Sequence, residues 1–393
     1  MKNLPRCWAE VDLGALRENL VWIRHRVGPK VKIMTVVKAD AYGHGLKQIA
    51  ALLMQSGTDV FGVANLTEAR AIRSVGKGWP ILMLGAMLPE EVEGALQDDV
   101  MATISSLDEA NRFSAVALRL RKSGRLHVKV DTGMGRLGAT PAQARQLIAK
   151  ASRLPGIKIC GLCTHYASVE DDAAFSREQR KQFQELLDSL SKQKWSFEFL
   201  HANNSGGLLL EEATMYNTVR PGLLVYGVSP PGTRTVDSDL NSHLRPALAW
   251  KCRVSLIKKI SKGTALSYGR AFVAPRPMRV AIVTAGYGDG YLRSGSNSAQ
   301  VLIAGKRCPV LGRITMDQML ADVSALPEAR PGDEVVLIGR QGREVIIADQ
   351  VAEWAGTISW EILSGLTARV PRRYFRDGQQ VGACDLHGCT PLR

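Results

Sequence analysis

The sequence predicts an α/β chain, an N-terminal TIM-like (β/α)8 barrel followed by a mostly β C-terminal domain. Three observations predict it. Short apolar runs alternate eight times with helix-like stretches over the first part of the chain, as in a parallel barrel. Lysine, aspartate, histidine and asparagine residues follow those runs closely, at the strand ends where barrels build their sites. Near residue 230 the rhythm changes to β-rich runs separated by Gly and Pro turns.

In chain order, strands are expected at 31–37, 60–64, 80–84, 101–104, 127–130, 159–164, 197–200 and 223–226. The first of these is apolar along nearly its whole length, which suits a strand covered on both faces. Helices are expected between them at 46–55, 67–74, 89–96, 108–121, 141–152, 177–192 and 206–210. Residues 229–233 read as a linker. Beyond it, strands are expected at 249–260, 280–284, 300–303, 309–311 and 334–338, with a helix at 348–355. The run Trp8-Ala9-Glu10-Val11 can join this second domain as a strand before the barrel begins. The expected division is a barrel over 12–235, with 1–11 and 236–393 forming the β-rich domain and its polar tail.

A chain of 393 residues suffices for two domains with sizeable cores. Its 45% hydrophobic and 22% charged residues are ordinary for a globular protein. No apolar run approaches the roughly 18 residues of a membrane span, and residues 1–10 hold no apolar signal core. The reading is cytoplasmic, with no membrane partner. Net charge is +14, but the charges are spread and accompany no nucleic-acid-binding motif. A basic surface that attracts anions is favoured over a nucleic-acid footprint.

Seven cysteines without a framework suggest reduced thiols. Cys160 and Cys163 have a CxxC spacing inside an expected buried strand, which favours packing over redox or metal chemistry. Cys384, His387 and Cys389 are too few ligands for a zinc site, and no metal is expected.

Lys38 directly follows the first apolar run. A lysine at such a strand end can lose its proton by desolvation and form a Schiff base with an aldehyde cofactor. Tyr42 could offer its hydroxyl to a phosphate. Asn203-Asn204-Ser205-Gly206-Gly207 ends a strand and opens a helix, where anions bind, although alone it would be only a helix cap. Alone, too, Tyr268 would read as packing, and Arg220 before Pro221 as a surface turn.

The stretch Met34-Thr35-Val36-Val37-Lys38-Ala39-Asp40-Ala41-Tyr42-Gly43-His44-Gly45 closely resembles the pyridoxal-phosphate lysine motif of alanine racemases. The other family signatures follow in order along nearly the whole chain. They are Val130-Asp131-Thr132-Gly133-Met134-Gly135-Arg136-Leu137-Gly138, Arg220-Pro221-Gly222, Ser267-Tyr268-Gly269 and Met316-Asp317-Gln318.

The resemblance implies interconversion of L- and D-alanine on pyridoxal 5'-phosphate by two bases, supplying D-alanine for peptidoglycan. Lys38 would hold the cofactor and act on one face; Tyr268 would act on the other, connected to His165 and Arg220. Arg220 would face the pyridine nitrogen and keep it unprotonated. Tyr42, Asn204, Ser205 and backbone near Gly222 and Leu223 would hold the phosphate. Arg136 and the Met316 N–H would address the substrate carboxylate, with Asp317 nearby. Lys129 matches a lysine that many members carry as a carbamate, an anion able to orient Arg136. Tyr287 and Arg293 resemble entry-corridor residues. The family shares each site across a homodimer, so Tyr268, Tyr287 and Met316 would come from the partner.

Trp360 departs from the pattern, standing where the family usually has a tyrosine that donates to the phosphate. An indole only donates and is placed differently from a phenol. Other readings are a broader alanine/serine racemase, a basic-amino-acid decarboxylase of the same fold, and a single-barrel cofactor carrier. Arg220 opposes the decarboxylase, which needs a glutamate there. Tyr268 and the β domain oppose the carrier.

Overall fold

The computed structural model describes residues 5–210, 215–230, 243–390 and 392. Of the expected linker, residues 231–233 lie outside the described residues, as do residues 1–4 and 236–242 of the expected β-rich domain. The chain divides into two compact units. One gathers residues 17–41 and 49–244; the other gathers 1–16, 42–48 and 245–393.

After β1 (Cys7–Asp12), which belongs to the second unit, the first unit contains an eight-stranded parallel sheet. Its strands are β2 (Lys32–Val36), β3 (Val60–Val63), β4 (Ile81–Met83), β5 (Met101–Ile104), β6 (Gly124–Lys129), β7 (Ile157–Cys163), β8 (Phe199–His201) and β9 (Thr218–Val219). They pair in sequence order from β2 to β8, and β9 lies on the other side of β2. Arg220 N–H donates to Asn203 O at 2.8 Å, linking the two ends of the sheet. The strands are almost wholly buried, as expected of parallel strands with both faces covered.

Side-chain caps start the intervening helices. Asn65 accepts from Glu68 N–H, and Asp172 from Phe175 N–H. Ser106 with Glu109, and Thr140 with Gln143, form capping boxes. Inside the sheet, Met34, Val60, Leu82, Met101, Cys160 and Phe199 pack into one apolar cluster. Cys160 is therefore a core residue, and burial pushes its thiol up to about 11.

One expected strand is corrected. Residues Leu223–Tyr226 form a 3-10 helix, and the eighth barrel strand is Thr218–Val219. A four-residue apolar run fits either a buried strand or a buried helical turn; here all four side chains are fully enclosed.

In the second unit, β1 pairs antiparallel with β10 (Leu248–Ile260) and parallel with Arg372–Arg376, as the reading of residues 8–11 anticipated. A register shift between Val254 and Leu256 falls where β10 changes partner, from Glu334–Gln341 to Met278–Val283. The expected strand at 309–311 is instead Lys306–Pro309, with Val310 making a single bridge to Ala321. The helix Ala348–Ala355 lies where expected. The polar tail forms a hairpin from Gln379–Asp385 to Gly388–Cys389. Its register sets Cys384 opposite Cys389, Cα atoms 4.0 Å apart, and the two form a disulfide. That corrects the all-reduced reading, because spacing alone does not reveal the turn that brings the pair face to face. The other five cysteines are free and buried.

Candidate active site

Lys38 leaves β2 into a left-handed turn: Ala39, Asp40 and Ala41 have φ of 53°, 54° and 54°. Non-glycine residues pay about 1–2 kcal/mol each for that conformation, so the surroundings must hold it. Ala41 N–H donates to Val37 O at 2.9 Å, and Ala39 N–H donates to Glu68 Oε1 at 2.7 Å. Lys38 remains open on one side. Burial of its amine, then the charge of Arg136, lower its pKa, and Glu68 partly opposes them.

Arg220 follows β9 and is buried. Its Nη1 donates to His201 Nδ1 at 2.7 Å; its Nη2 donates to Thr164 O, His165 Nδ1 and Ala202 O at 3.0, 3.0 and 2.8 Å. Every one of these acceptors is neutral. Behind His201, its Nε2 lies 2.9 Å from His127 Nδ1, and His127 stacks on Phe199. Desolvation, then nearby cations, hold His165 and His201 well below the usual imidazole value, and His127 down to about 3. Gln179, fully buried, fixes the segment after β7 by bonding Thr132 Oγ1, His165 O and Ala167 N–H.

Lys129 ends β6 and is buried. Desolvation and the charges of Arg220 and Arg136 push its pKa down to about 8, against the opposing pull of Cys163 and Asp131. The glycine-rich turn after it is folded around Asp131, whose carboxylate accepts from Gly133 and Gly135 N–H. Burial alone would raise that carboxyl, but the backbone bonds outweigh it and hold it low. Arg136 on this turn is exposed and has no hydrogen bond or ion pair among the described residues. Its charge reaches Lys38, Lys129 and His165, so the unit brings these groups together.

Asn204 Oδ1 accepts from Gly207 N–H at 2.9 Å, capping the helix Ser205–Leu210. Ser205 Oγ accepts from Gly222 N–H at 2.9 Å and Leu224 N–H at 3.4 Å. The Ser205 proton is thereby left to donate elsewhere, and Leu223 N–H has no acceptor among the described residues. The buried Asn203 Oδ1 is likewise unpaired.

The remaining candidates belong to the second unit. Tyr42 is buried, and burial raises its pKa. The segment after it is held by Arg372 Nε to Gly43 O at 2.9 Å and by Tyr374 OH to His44 O at 3.0 Å. Gly43 and Gly45 have φ of 77° and 95°. A Cβ at Gly43 would lie 2.1 Å from Leu363 O, and one at Gly45 1.9 Å from the Tyr374 hydroxyl oxygen, so no side chain fits at either.

Tyr268 opens a short 3-10 turn and is 71% exposed. Ser267 Oγ ties that turn to Arg313 O at 2.5 Å. Tyr287 and Met316 stand on two loops joined by Tyr287 N–H to Thr315 O and Gly288 N–H to Met316 O. The Met316 N–H has no acceptor among the described residues. Arg369 links Asp289 and Asp317 at 2.8 and 2.9 Å. Trp360 is half-buried on the helix Ser359–Ser364; it makes no hydrogen bond to the Tyr287, Met316 and Asp317 group. Glu68, His127, His201, Gln179 and Arg369 all shape these surroundings without being singled out by the sequence reading. The strand alternation at His127 and Lys129 placed both on one face of β6 and was the available signal for His127.

A parallel barrel that gathers a lysine amine, a buried arginine and unpaired backbone donors, carried with a β-rich unit, defines a two-unit barrel enzyme. Residues 11–230 match the alanine racemase N-terminal domain and residues 247–374 the alanine racemase C-terminal domain. An alanine racemase of Halothermothrix orenii is 40% identical, over 93% of this chain and 96% of its own length. One of Methylacidiphilum infernorum is 42% identical, over 94% and 93%. The solved alanine racemase of Clostridium difficile superposes with a TM-score of 0.90 at 32% identity, over 98% and 99%. That of Bacillus anthracis with bound L-Ala-P gives the same TM-score, identity and coverage. The chain belongs to the alanine racemase family.

Proposed function

We propose that this protein interconverts L-alanine and D-alanine, with pyridoxal 5'-phosphate bound in the barrel over 12–235, and supplies D-alanine for peptidoglycan in the cytoplasm. The bound cofactor would supply an aldehyde for amines and an electron-withdrawing ring that acidifies the substrate Cα–H. Among the described residues no helix is long and apolar enough to cross a membrane, and no group of His, Cys, Asp and Glu suits a metal.

The observation that carries this reading is the environment of Arg220. It is a buried cation with only neutral acceptors on Nη1 and Nη2, and its Nε has no acceptor among the described residues. An unprotonated pyridine nitrogen fits that donor. A protonated one would set a second cation beside the first, so Arg220 favours a neutral ring. The residues therefore fit the cofactor. Lys38, its pKa lowered, offers an amine for the aldehyde. Ser205 O–H and Leu223 N–H are free to donate to a phosphate, and Tyr42 is a further donor by family position.

Proton movement falls to two residues. Lys38 takes or returns the Cα proton on one face, and Tyr268 of the partner subunit on the other, in a homodimer with shared sites. His165, neutral and bonded to Arg220, presents Nε2 as the donor that holds the tyrosine oxygen. Arg136 and the Met316 N–H receive the substrate carboxylate. Lys129, its pKa near 8, holds enough free amine to combine with carbon dioxide, and the resulting anion orients Arg136.

A chiral assay of the purified protein against a panel of L-amino acids tests the activity. Borohydride reduction followed by peptide mass analysis tests the cofactor. Alanine should racemise fastest, and the reduced adduct should sit on Lys38. No racemisation of alanine, or an adduct on another lysine, overturns the reading.

A further inference from the structure

We propose that Glu68 is a positioning residue for Lys38, its carboxylate clamping the left-handed turn to the end of the neighbouring barrel strand. This rests on the reading of Lys38 as the cofactor amine. The two carboxylate oxygens divide the work. Oε1 accepts from Ala39 N–H at 2.7 Å, one residue past the lysine, and Oε2 accepts from Ala64 N–H at 2.8 Å, one residue past β3. One rigid, planar group thus joins the loops that follow two adjacent strands. Glu68 N–H also donates to Asn65 Oδ1 at 2.9 Å, an N-cap bond of the helix that does not involve the clamping carboxylate.

The turn needs such an outside hold. Four consecutive non-glycine residues, Ala39, Asp40, Ala41 and Tyr42, sit at positive φ, and the local bond from Ala41 N–H to Val37 O could also close a right-handed turn. The contact at Ala39 N–H comes from outside the turn and fixes the first left-handed residue. If it is lost, Ala39 can relax and swing the Lys38 side chain away from Arg136 and Lys129. The negative charge also opposes the cations around Lys38, so Glu68 acts on the protonation of the amine as well as on its place.

The test compares holoenzyme variants Glu68→Gln, Glu68→Asp and Asn65→Ala with wild type. Gln presents a donor where one backbone N–H needs an acceptor; Asp keeps the charge but is too short to reach both amides. The measurements are kcat and KM for L-alanine, the rate of cofactor release, and the pH dependence of kcat. Glu68→Gln should lower kcat about tenfold with KM within about twofold, and should speed cofactor release. Its pH profile should move to lower pH, because a charge that favoured the protonated amine is gone. Glu68→Asp should lose kcat without that move. Asn65→Ala removes the cap from the same helix; it should lower thermal stability but leave kcat and release within about twofold. Native kcat and release in Glu68→Gln overturn the proposal, and so does an equal kcat loss in Asn65→Ala, which would make Glu68 a helix-stability residue. A wild-type protein that does not racemise alanine fails in the same assay, and then the functional reading falls and this inference with it.

Discussion

Arg220 Nη1 donates to His201 Nδ1 at 2.7 Å, and that single direction orders two rings behind it. A guanidinium cannot accept, so His201 Nδ1 carries the lone pair and its Nε2 carries the hydrogen. That hydrogen points at His127 Nδ1, 2.9 Å away, so His127 also carries its hydrogen on Nε2. The same argument applies to His165, whose Nδ1 accepts from Arg220 Nη2. The positive charge thus stays on the arginine, and three neutral imidazoles are held in one tautomer.

Nitrogen-15 spectra of histidine-labelled holoenzyme should therefore show neutral Nε2–H tautomers for His127, His165 and His201 at neutral pH. A protonated Nδ1 at His201 would break the scheme at its first link. His127→Asn keeps an acceptor near the Nδ1 position, and should preserve the His201 signal. His127→Leu removes it and should disturb that signal.

Acid should expose the cost of these buried rings. The His127 pKa is about 3 in the fold and 6.5 in the unfolded chain. As pH falls below about 6.5 the unfolded state takes up the proton first, so the stability this neutral ring allows is present above that value. It is lost progressively down to about 3, by about 1.4 kcal/mol per pH unit for one such histidine. Denaturant titrations at several pH values across this window should give a steep loss in wild type. His127→Asn should reduce the slope by roughly one proton. Parallel slopes for the two proteins would contradict this assignment.

The proposed sharing of sites across a homodimer makes a counting prediction. Lys38→Ala and Tyr268→Phe homodimers should each be nearly inactive. In a mixed dimer, one site collects both substitutions and the other neither. Random mixing should therefore restore roughly a quarter of wild-type activity, since half the dimers are mixed and each has one intact site. If both residues serve a site from the same chain, mixing restores nothing.

Trp360 is half-buried, and its indole N–H has no acceptor among the described residues. Tyrosine at this position should regain a phosphate donor and tighten cofactor binding by about 1 kcal/mol. It should also raise serine turnover relative to alanine, because a phenol is smaller than an indole. Cofactor affinity and the ratio of kcat/KM values for serine and alanine, measured in wild type and Trp360→Tyr, decide it. No change in either places Trp360 in packing.

The parts of the fold that could be read from sequence were those with one local solution. The run 31–37 is apolar except for Lys32 and Thr35, and all of it but Lys32 is buried, so it identified itself as an inner strand. The helix Leu13–Val27 carries Leu13, Leu16, Leu20, Ile23 and Val27 at helical spacing, a signal present in the sequence that the expected elements omit. Residues 223–226 had two local solutions, and burial chose between them. Glu68 and Arg369 were hidden for another reason. Each bonds groups distant in sequence: Glu68 reaches Ala39, and Arg369 reaches Asp289 and Asp317. No spacing rule marks a half-buried acid or an exposed base as a clamp. The pairing of the two histidines was concealed by their separation in sequence, since His127 and His201 lie on different strands and meet only once those strands have registered around the barrel. Cys384 and Cys389 needed their turn to be known first.

The placement of β1 has a bearing on the order in which the chain is made. Its Ala9 is paired with Trp250 on one side and Arg372 on the other. The segment after Tyr42 waits on the same late partners, Arg372 and Tyr374. A ribosome thus releases the earliest pieces of the second unit long before the pieces that seat them. Until the stretch around Tyr374 has been synthesised, the loop behind Tyr42 has no floor, and a nascent chain with every barrel strand already made still lacks a seated Tyr42. Catalytic competence should arrive abruptly, late in translation, and premature termination before Arg372 should yield protein that is inert.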